Sequence, residues 1–189
     1  MQVRLLGPID VTVDGVPRSV PGLRRKAVLA ALAIGRGEVV STDRLIDVVW
    51  GADPPATALN TLQRHISYLR QVLGSKDAIL ARPPGYRLTV DDDVSLAERL
   101  IRQGTQAADR AERVRHLQAA LRLWRGRPLV DVVGLAWLDT EAERLEDLWL
   151  HAQKALADDL IQHWTKNNIG AANQAKVKAQ YLEVHATLA

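Results

Sequence analysis

No cysteine occurs among the 189 residues. Disulfides and thiolate metal sites are therefore excluded, and the composition fits a reducing cytosol. Phenylalanine is absent as well, so Leu, Val, Ala and the five tryptophans must carry the apolar load of any core. No run approaches the roughly 20 apolar residues that cross a bilayer. The opening MQVRLLGPID has no apolar signal core, so a cytoplasmic protein without membrane contact is expected. Equally missing are a phosphate loop of the GxxxxGKS or GxxxxGKT type, a GxGxxG turn and an HExxH helix. The five histidines are scattered; His151 and His163 are twelve positions apart, not at the four-residue step of a helical metal site. Glu141, Glu143, Glu146 and Asp147 form a charged helix face rather than an acid–base pair. The expectation is a protein that is not an enzyme, with no metal and no cofactor.

What is present is an uneven charge. Residues 1–90 hold 12 Lys and Arg against 7 Asp and Glu, whereas residues 91–189 hold 13 against 15. A basic first half joined to a slightly acidic second half suits a nucleic-acid module beside a protein-facing one. A chance division of solvated surface charge gives the same numbers, so the motifs must decide.

The first twenty residues alternate as half-buried strands do: Val3 and Leu5, then Ile9, Val11 and Val13. Asp14-Gly15 predicts a two-residue hairpin turn, because a type I′ turn needs positive φ at both central positions. Val16 to Val20 is the returning strand. A first helix is predicted over Leu23 to Gly35, with Val28, Leu29, Leu32 and Ala33 toward the core. Arg24, Arg25 and Lys26 crowd its first turn, which the helix dipole disfavours; a phosphate or a solvated surface would each accommodate them. A second helix, capped by Ser41 or Thr42, runs from about Asp43 to Trp50. The loop Gly51 to Ala56 is stiffened by Pro54 and Pro55.

The stretch from Thr57 to Thr89 carries most of the functional information. A third helix, about Thr57 to Leu73, places Leu59, Leu62, Ile66, Leu69 and Leu73 on one stripe. At 100° per residue the opposite face holds Asn60, Arg64, Ser67 and Gln71, flanked by Gln63 and Arg70 on one side and Thr61 and Tyr68 on the other. A hairpin follows: Ile79 to Arg82, a Pro83-Pro84-Gly85 turn, then Tyr86 to Val90. Leu80, Leu88 and Val90 are expected to pack inward and Arg82 and Arg87 to project, while Tyr86 serves either packing or DNA. A polar helix able to enter a major groove, followed by a basic hairpin able to reach the backbone or minor groove, is the working end of a winged-helix domain.

Asp91-Asp92-Asp93 reads as a polar break and sets the expected domains at 1–91 and 92–189. Beyond it the pattern is helical: Val94 to about Ala108, Ala111 to Trp124, a loop to about Gly134, and a long helix from about Trp137 to Trp164. Residues 171–188 suit either a loosely docked last helix or a frayed end.

With these residues in hand, the chain resembles the SARP/AfsR family of transcriptional regulators. Arg4-Leu5-Leu6-Gly7-Pro8, Asp14-Gly15, Leu45, Trp50-Gly51, Pro54, Leu62, Ile66, Leu69-Arg70, Leu73 and Pro84-Gly85-Tyr86-Arg87-Leu88 carry the likeness in the first half. Leu117, Ala120-Leu121, Leu123-Trp124-Arg125-Gly126, Pro128-Leu129, Trp137 and Glu143-Arg144-Leu145 carry it in the second. The resemblance implies an α+β winged helix of the OmpR type followed by an all-α bacterial transcriptional activation domain related to tetratricopeptide repeats. The likeness fades after about Leu160, so residues 165–189 are expected to stand outside an incomplete activation domain.

Carried over by position, the resemblance implies base reading by Gln63, Arg64 and Tyr68. It implies phosphate contacts by Asn60, His65, Ser67, Arg70, Arg82 and Arg87, and a polymerase-facing loop at Asp53, Pro54 and Pro55. The implied partners are double-stranded promoter DNA carrying direct repeats, a second copy of the chain on those repeats, and RNA polymerase holoenzyme with its sigma factor. The implied function is an activator, in this family often of antibiotic or secondary-metabolite genes. A short regulator that competes with a full-length relative without activating is the alternative reading.

Overall fold

The computed structural model describes residues 1–167, 174–178 and 183–187. It opens on an antiparallel meander of β1 (Gln2–Arg4), β2 (Asp10–Val13) and β3 (Val16–Ser19). Asp14 and Gly15 make the predicted turn at φ 52° and 79°, with Val13 opposite Val16. Val3, Val11 and Val13 point into the core. β3 is exposed along its whole length, as suits an edge strand containing Pro17.

α1 (Leu23–Ile34) is the central helix. Its expected core residues are buried, and so are Ala27, Ala30 and Ala31, making seven consecutive buried positions. Alanine presents no polar face, so α2, α3 and the later helical half can all pack against α1. β4 (Val40–Ser41) leads into α2 (Thr42–Trp50). The Ser41 hydroxyl caps α2 by accepting from the Arg44 N–H at 3.1 Å.

α3 (Ala58–Leu73) ends in a Schellman turn, with Gly74 at φ 76° and the Ser75 N–H donating to the Arg70 carbonyl at 3.1 Å. After a 3₁₀ turn, β5 (Ile79–Arg82) and β6 (Gly85–Leu88) form the hairpin through a two-residue Pro83-Pro84 turn. β4 pairs with β6, giving the order β4-β6-β5. Gly85 is required where the two strands cross closely: a Cβ there would overlap the Val40 carbonyl oxygen and the Ser41 Cα. In β5 it is Ile79 that is fully buried, while Leu80, expected inward, is only half-buried. Leu80 and Arg87 are cross-strand partners, so they share the outer face of the hairpin.

Of the acidic triplet read from the sequence as a polar break, Asp91 is exposed but Asp92 and Asp93 are buried. β7 (Asp91–Asp92) adds to the first sheet, parallel to β1. Asp92 caps α4 (Asp93–Gln106), accepting from the Ser95 N–H at 2.7 Å. Asp93 is 2% exposed and accepts from the backbone N–H groups of Leu5 at 2.7 Å and Leu6 at 3.1 Å. From the other side, the N–H groups of Arg125 and Leu129 donate to the carbonyls of Leu6 and Leu5. The Arg4-to-Pro8 motif and the Trp124-to-Gly126 motif therefore meet, and Gly7 lets them: a Cβ at Gly7 would lie 3.0 Å from the Arg125 Cβ. Burial drives the Asp93 carboxyl up to about 6, against the pull of the two backbone donors and Arg125.

α5 (Arg110–Leu121) forms a hairpin with α4, and a long α6 (Ala136–Asn167) lies across both. Ile101, Leu117, Ala120 and Ala152 make a small second core. The main core runs without interruption from the meander through Leu129, Val132, Leu138 and Leu145. Where residues 171–188 are described they form strands β8 (Gln174–Lys178) and β9 (Glu183–Thr187), paired antiparallel. No helix forms in those parts, and the rest of that stretch lies outside the described residues.

Candidate nucleic-acid interface

α3 owes its exposed face to the angular spread of its residues. Leu62, Ile66, Leu69, Leu73 and Ala58 are buried. Leu59, placed on the core stripe by sequence, is 46% exposed. It lies about 60° from Leu62 on the helix wheel, whereas Ala58 lies about 40° away on the other side.

Asn60, Gln63, Arg64 and Ser67 are exposed. With Thr57 they line one shallow depression along the outer face of α3. An Arg64 guanidinium nitrogen donates to the Thr61 hydroxyl at 3.1 Å, which lays the side chain back along its own helix. These four side chains, with the exposed Gln71 further along the helix, present hydrogen-bonding groups outward.

The other three predicted α3 contacts are placed differently. His65 turns toward the core margin, its ring stacked on Trp50 with centroids 6.4 Å apart. Its buried Nε2 has no hydrogen-bond partner among the described residues. Burial lowers its pKa, with Arg25, Arg24 and Arg64 acting in the same direction. Tyr68 is half-buried beneath Arg25, whose guanidinium carbon lies 4.0 Å from the ring centre. Arg70 turns its guanidinium to the root of the hairpin, where Nε and Nη2 both donate to the Ile79 carbonyl at 2.8 and 2.6 Å. Its side chain braces α3 against β5 rather than facing solvent.

Arg82 and Arg87 are both exposed. Register puts each on the same outer face of the hairpin, Arg82 opposite Gly85 and Arg87 opposite Leu80. Tyr86 packs against the core. The Thr42 N–H and hydroxyl both reach the Pro84 carbonyl at 3.1 Å, fixing the hairpin tip to the start of α2. Asp53, Pro54 and Pro55 are fully on the surface, in the loop between α2 and α3. The Pro55 carbonyl accepts from the Ala58 N–H at 2.8 Å, so this loop runs directly into α3.

Sequence reasoning missed how the first turn of α1 is used. Lys26 pairs with Asp131 at 2.9 Å, Arg25 covers Tyr68, and Arg24 lies 5.7 Å from the Trp50 ring centre. Asp131 also accepts from the Ile9 N–H at 2.6 Å. Desolvation pushes its carboxyl up, but the Lys26 and Ile9 contacts outweigh that and hold it below the ordinary range. The clue was a cationic first turn with no acid in it.

Among the described residues no cluster of three or more His, Asp or Glu could hold a metal ion, and no helix is long and apolar enough to cross a membrane.

Two family models match the chain. "Transcriptional regulatory protein, C terminal" covers residues 23–88, and "Bacterial transcriptional activator domain" covers residues 92–182. The second match extends past Leu160, where the likeness was expected to fade. The chain is similar to the transcriptional regulatory protein EmbR of Mycobacterium tuberculosis, with 38% identity over 167 residues, covering 82% of this chain and 43% of EmbR. It is also similar to the regulatory protein DnrI of Streptomyces peucetius, with 36% identity over 78% of this chain and 60% of DnrI. The solved structure of Mycobacterium tuberculosis EmbR in complex with a low affinity phosphopeptide superposes with a TM-score of 0.79 at 33% identity. That match covers 85% of this chain and 45% of EmbR. The chain thus spans about half the length of these relatives. A winged-helix α+β region and a helical region, each matched in the same order as in the regulators it resembles, assign the chain to the SARP family of transcriptional regulators.

Proposed function

We propose that the chain binds promoter DNA by sequence and activates transcription there. The observation that carries this reading is the outward row of Asn60, Gln63, Arg64 and Ser67 on α3, beside a hairpin that exposes two arginines on one face. A helix of this kind fits a major groove about 12 Å wide, where Arg and Gln can each make paired hydrogen bonds to base edges. Gln63 and Arg64 are the proposed readers, with Tyr68 at the margin of the contact. Asn60, Ser67 and His65 hold phosphates beside them, and Arg82 and Arg87 hold the backbone alongside the hairpin. Arg70 acts by positioning: it locks the reading helix to the wing, so both meet DNA as one rigid unit.

Activation is assigned to the loop Asp53-Pro54-Pro55 and to the helical half. The prolines preset the loop, so it loses little entropy on docking to a protein. RNA polymerase holoenzyme, through its sigma factor, is the proposed partner. Promoter direct repeats seating two copies, and secondary-metabolite genes as targets, follow from the family resemblance. The test is selection of bound duplexes from a random library, then footprinting and in vitro transcription on the selected sequence. Enrichment of one motif with a protected major groove, together with raised transcript yield, supports the reading. Enrichment of nothing overturns it.

A further inference from the structure

The arginines of this chain divide into two kinds. Arg110, Arg113, Arg127 and Arg144 in the helical half, and Arg4, Arg36 and Arg44 in the first half, each reach a carboxylate. Around the start of α3 they do not: no carboxylate lies within ion-pair distance of Arg24, Arg25 or Arg64 among the described residues. Arg24 and Arg25 come from α1; Arg24 rests on Trp50 at the end of α2 and Arg25 on Tyr68 of α3. His65 lies in the same group, stacked on Trp50, and its buried Nε2 finds no partner among the described residues. Three cations and a partly buried imidazole thus lie close together, with no carboxylate within ion-pair distance of the arginines among the described residues. Like charges held together this way are unfavourable in the free protein and are relieved by an anion.

We propose that Arg24, Arg25 and His65 form a phosphate-holding site that extends the DNA-facing surface from α3 onto α1. The inference rests on the reading of α3 as the DNA-binding helix. Its ligand is a phosphodiester of duplex DNA, because the group continues the exposed edge of α3 where a backbone flanking an occupied groove would pass. The charged groups that reach His65 are Arg24 and Arg25 from α1 and Arg64 from its own helix; α2 presents Trp50, and no carboxylate acts on it.

In the free protein, burial first and then the three arginines lower the pKa of the imidazole. A phosphate seated among them offsets the arginine charge and offers an acceptor, so His65 takes up a proton as DNA binds. Affinity for duplex DNA then strengthens as pH falls across the titration range of histidine.

The experiment uses the whole chain and a fluorescein-labelled random-sequence duplex, titrated at several salt concentrations and at about pH 6 and about pH 8. Arg24 is exposed, so Arg24→Ala leaves the fold intact and should reduce the magnitude of the log–log salt slope by about 0.9, as expected when one phosphate is released. Arg25→Lys keeps the charge and should keep the slope, whereas Arg25→Gln should lower it. Wild-type affinity should rise severalfold from the higher to the lower pH, and His65→Gln should remove most of that rise. If wild type binds duplex DNA but Arg24→Ala and Arg25→Gln leave the slope unchanged, this site is overturned while the role of α3 stands. If wild type binds no duplex at either pH, the reading of α3 fails first. If polyglutamate, and not duplex, shows the Arg24 and Arg25 dependence, the group serves an acidic protein and the proposal is wrong.

Discussion

Replacing Arg125 with Ala probes the joint between the two halves, and its effect should depend on pH in a defined direction. The guanidinium donates to the Pro8 carbonyl at 3.0 Å and to the Asp10 carboxylate at 3.3 Å, and lies 3.9 Å from Asp93. Its side chain is 28% exposed. Asp10 retains its two-pronged pairing with Arg4 at 2.6 and 2.7 Å, so loss of that partner costs little. The Pro8 carbonyl loses a charged donor, and Asp93 loses the cation nearest it. With hydrogen bonds to charged groups contributing about 1.5–3 kcal/mol, a destabilisation of about 2 kcal/mol is expected near neutral pH.

The pH dependence comes from Asp93. Its carboxyl titrates at about 6 in the fold against an ordinary 3.8. A carboxyl raised on folding favours the fold when protonated. Stability from this group is therefore greatest below about pH 4 and is withdrawn as pH rises through 6, by about 3 kcal/mol at 1.36 kcal/mol per unit. Arg125 opposes the rise, so removing it pushes the carboxyl higher and deepens the loss. Urea unfolding followed by tryptophan fluorescence should show a deficit for Arg125→Ala that is smaller at about pH 4.5 than at about pH 8, by roughly 1 kcal/mol. A deficit equal at both pH values, or larger at the acid one, would refute the coupling of Arg125 to Asp93.

Other substitutions test the remaining elements. Arg64→Ala should lower binding to a selected operator by about 1–3 kcal/mol and leave a scrambled duplex nearly unaffected; equal losses on both remove its reading role. Arg82→Ala with Arg87→Ala should reduce the magnitude of the salt slope by about 0.9 for each phosphate the hairpin no longer holds, with an unchanged melting temperature. Arg70→Ala should destabilise the fold by about 1–3 kcal/mol, because the Ile79 carbonyl loses both of its donors from α3; an unchanged melting curve with reduced DNA affinity would return Arg70 to the phosphate contacts. Asp53→Ala should keep DNA affinity and lower transcript yield in vitro, and a parallel fall in both would make the loop part of the DNA-binding unit.

The elements legible from sequence were those with a local cause. Asp14-Gly15 could hardly be anything but a tight turn, and the 3.6-residue recurrence of Leu62, Ile66, Leu69 and Leu73 fixed the buried face of α3. What was not legible depended on neighbours distant in the chain. His65 lies about as far from Leu62 on the wheel as Leu59 does, on the opposite side; only the position of Trp50 decides that one turns in and the other out. Arg70 resembles any exposed arginine until the Ile79 carbonyl is seen beside it. The acidic triplet reads as a polar break because adjacent carboxylates are seldom buried. Two backbone donors at Leu5 and Leu6, some 88 residues away, reverse that.

The central claim, that α3 reads base edges while the hairpin holds the backbone, is tested most directly by a footprint on a duplex selected from a random library. Methylation interference at guanine N7 maps major-groove contacts, and Arg64→Ala supplies the comparison. Interference at one or more guanines is predicted with wild-type protein, and at least one of those positions should fall silent with the variant. A footprint confined to the sugar–phosphate backbone, identical for wild type and Arg64→Ala, would contradict the claim.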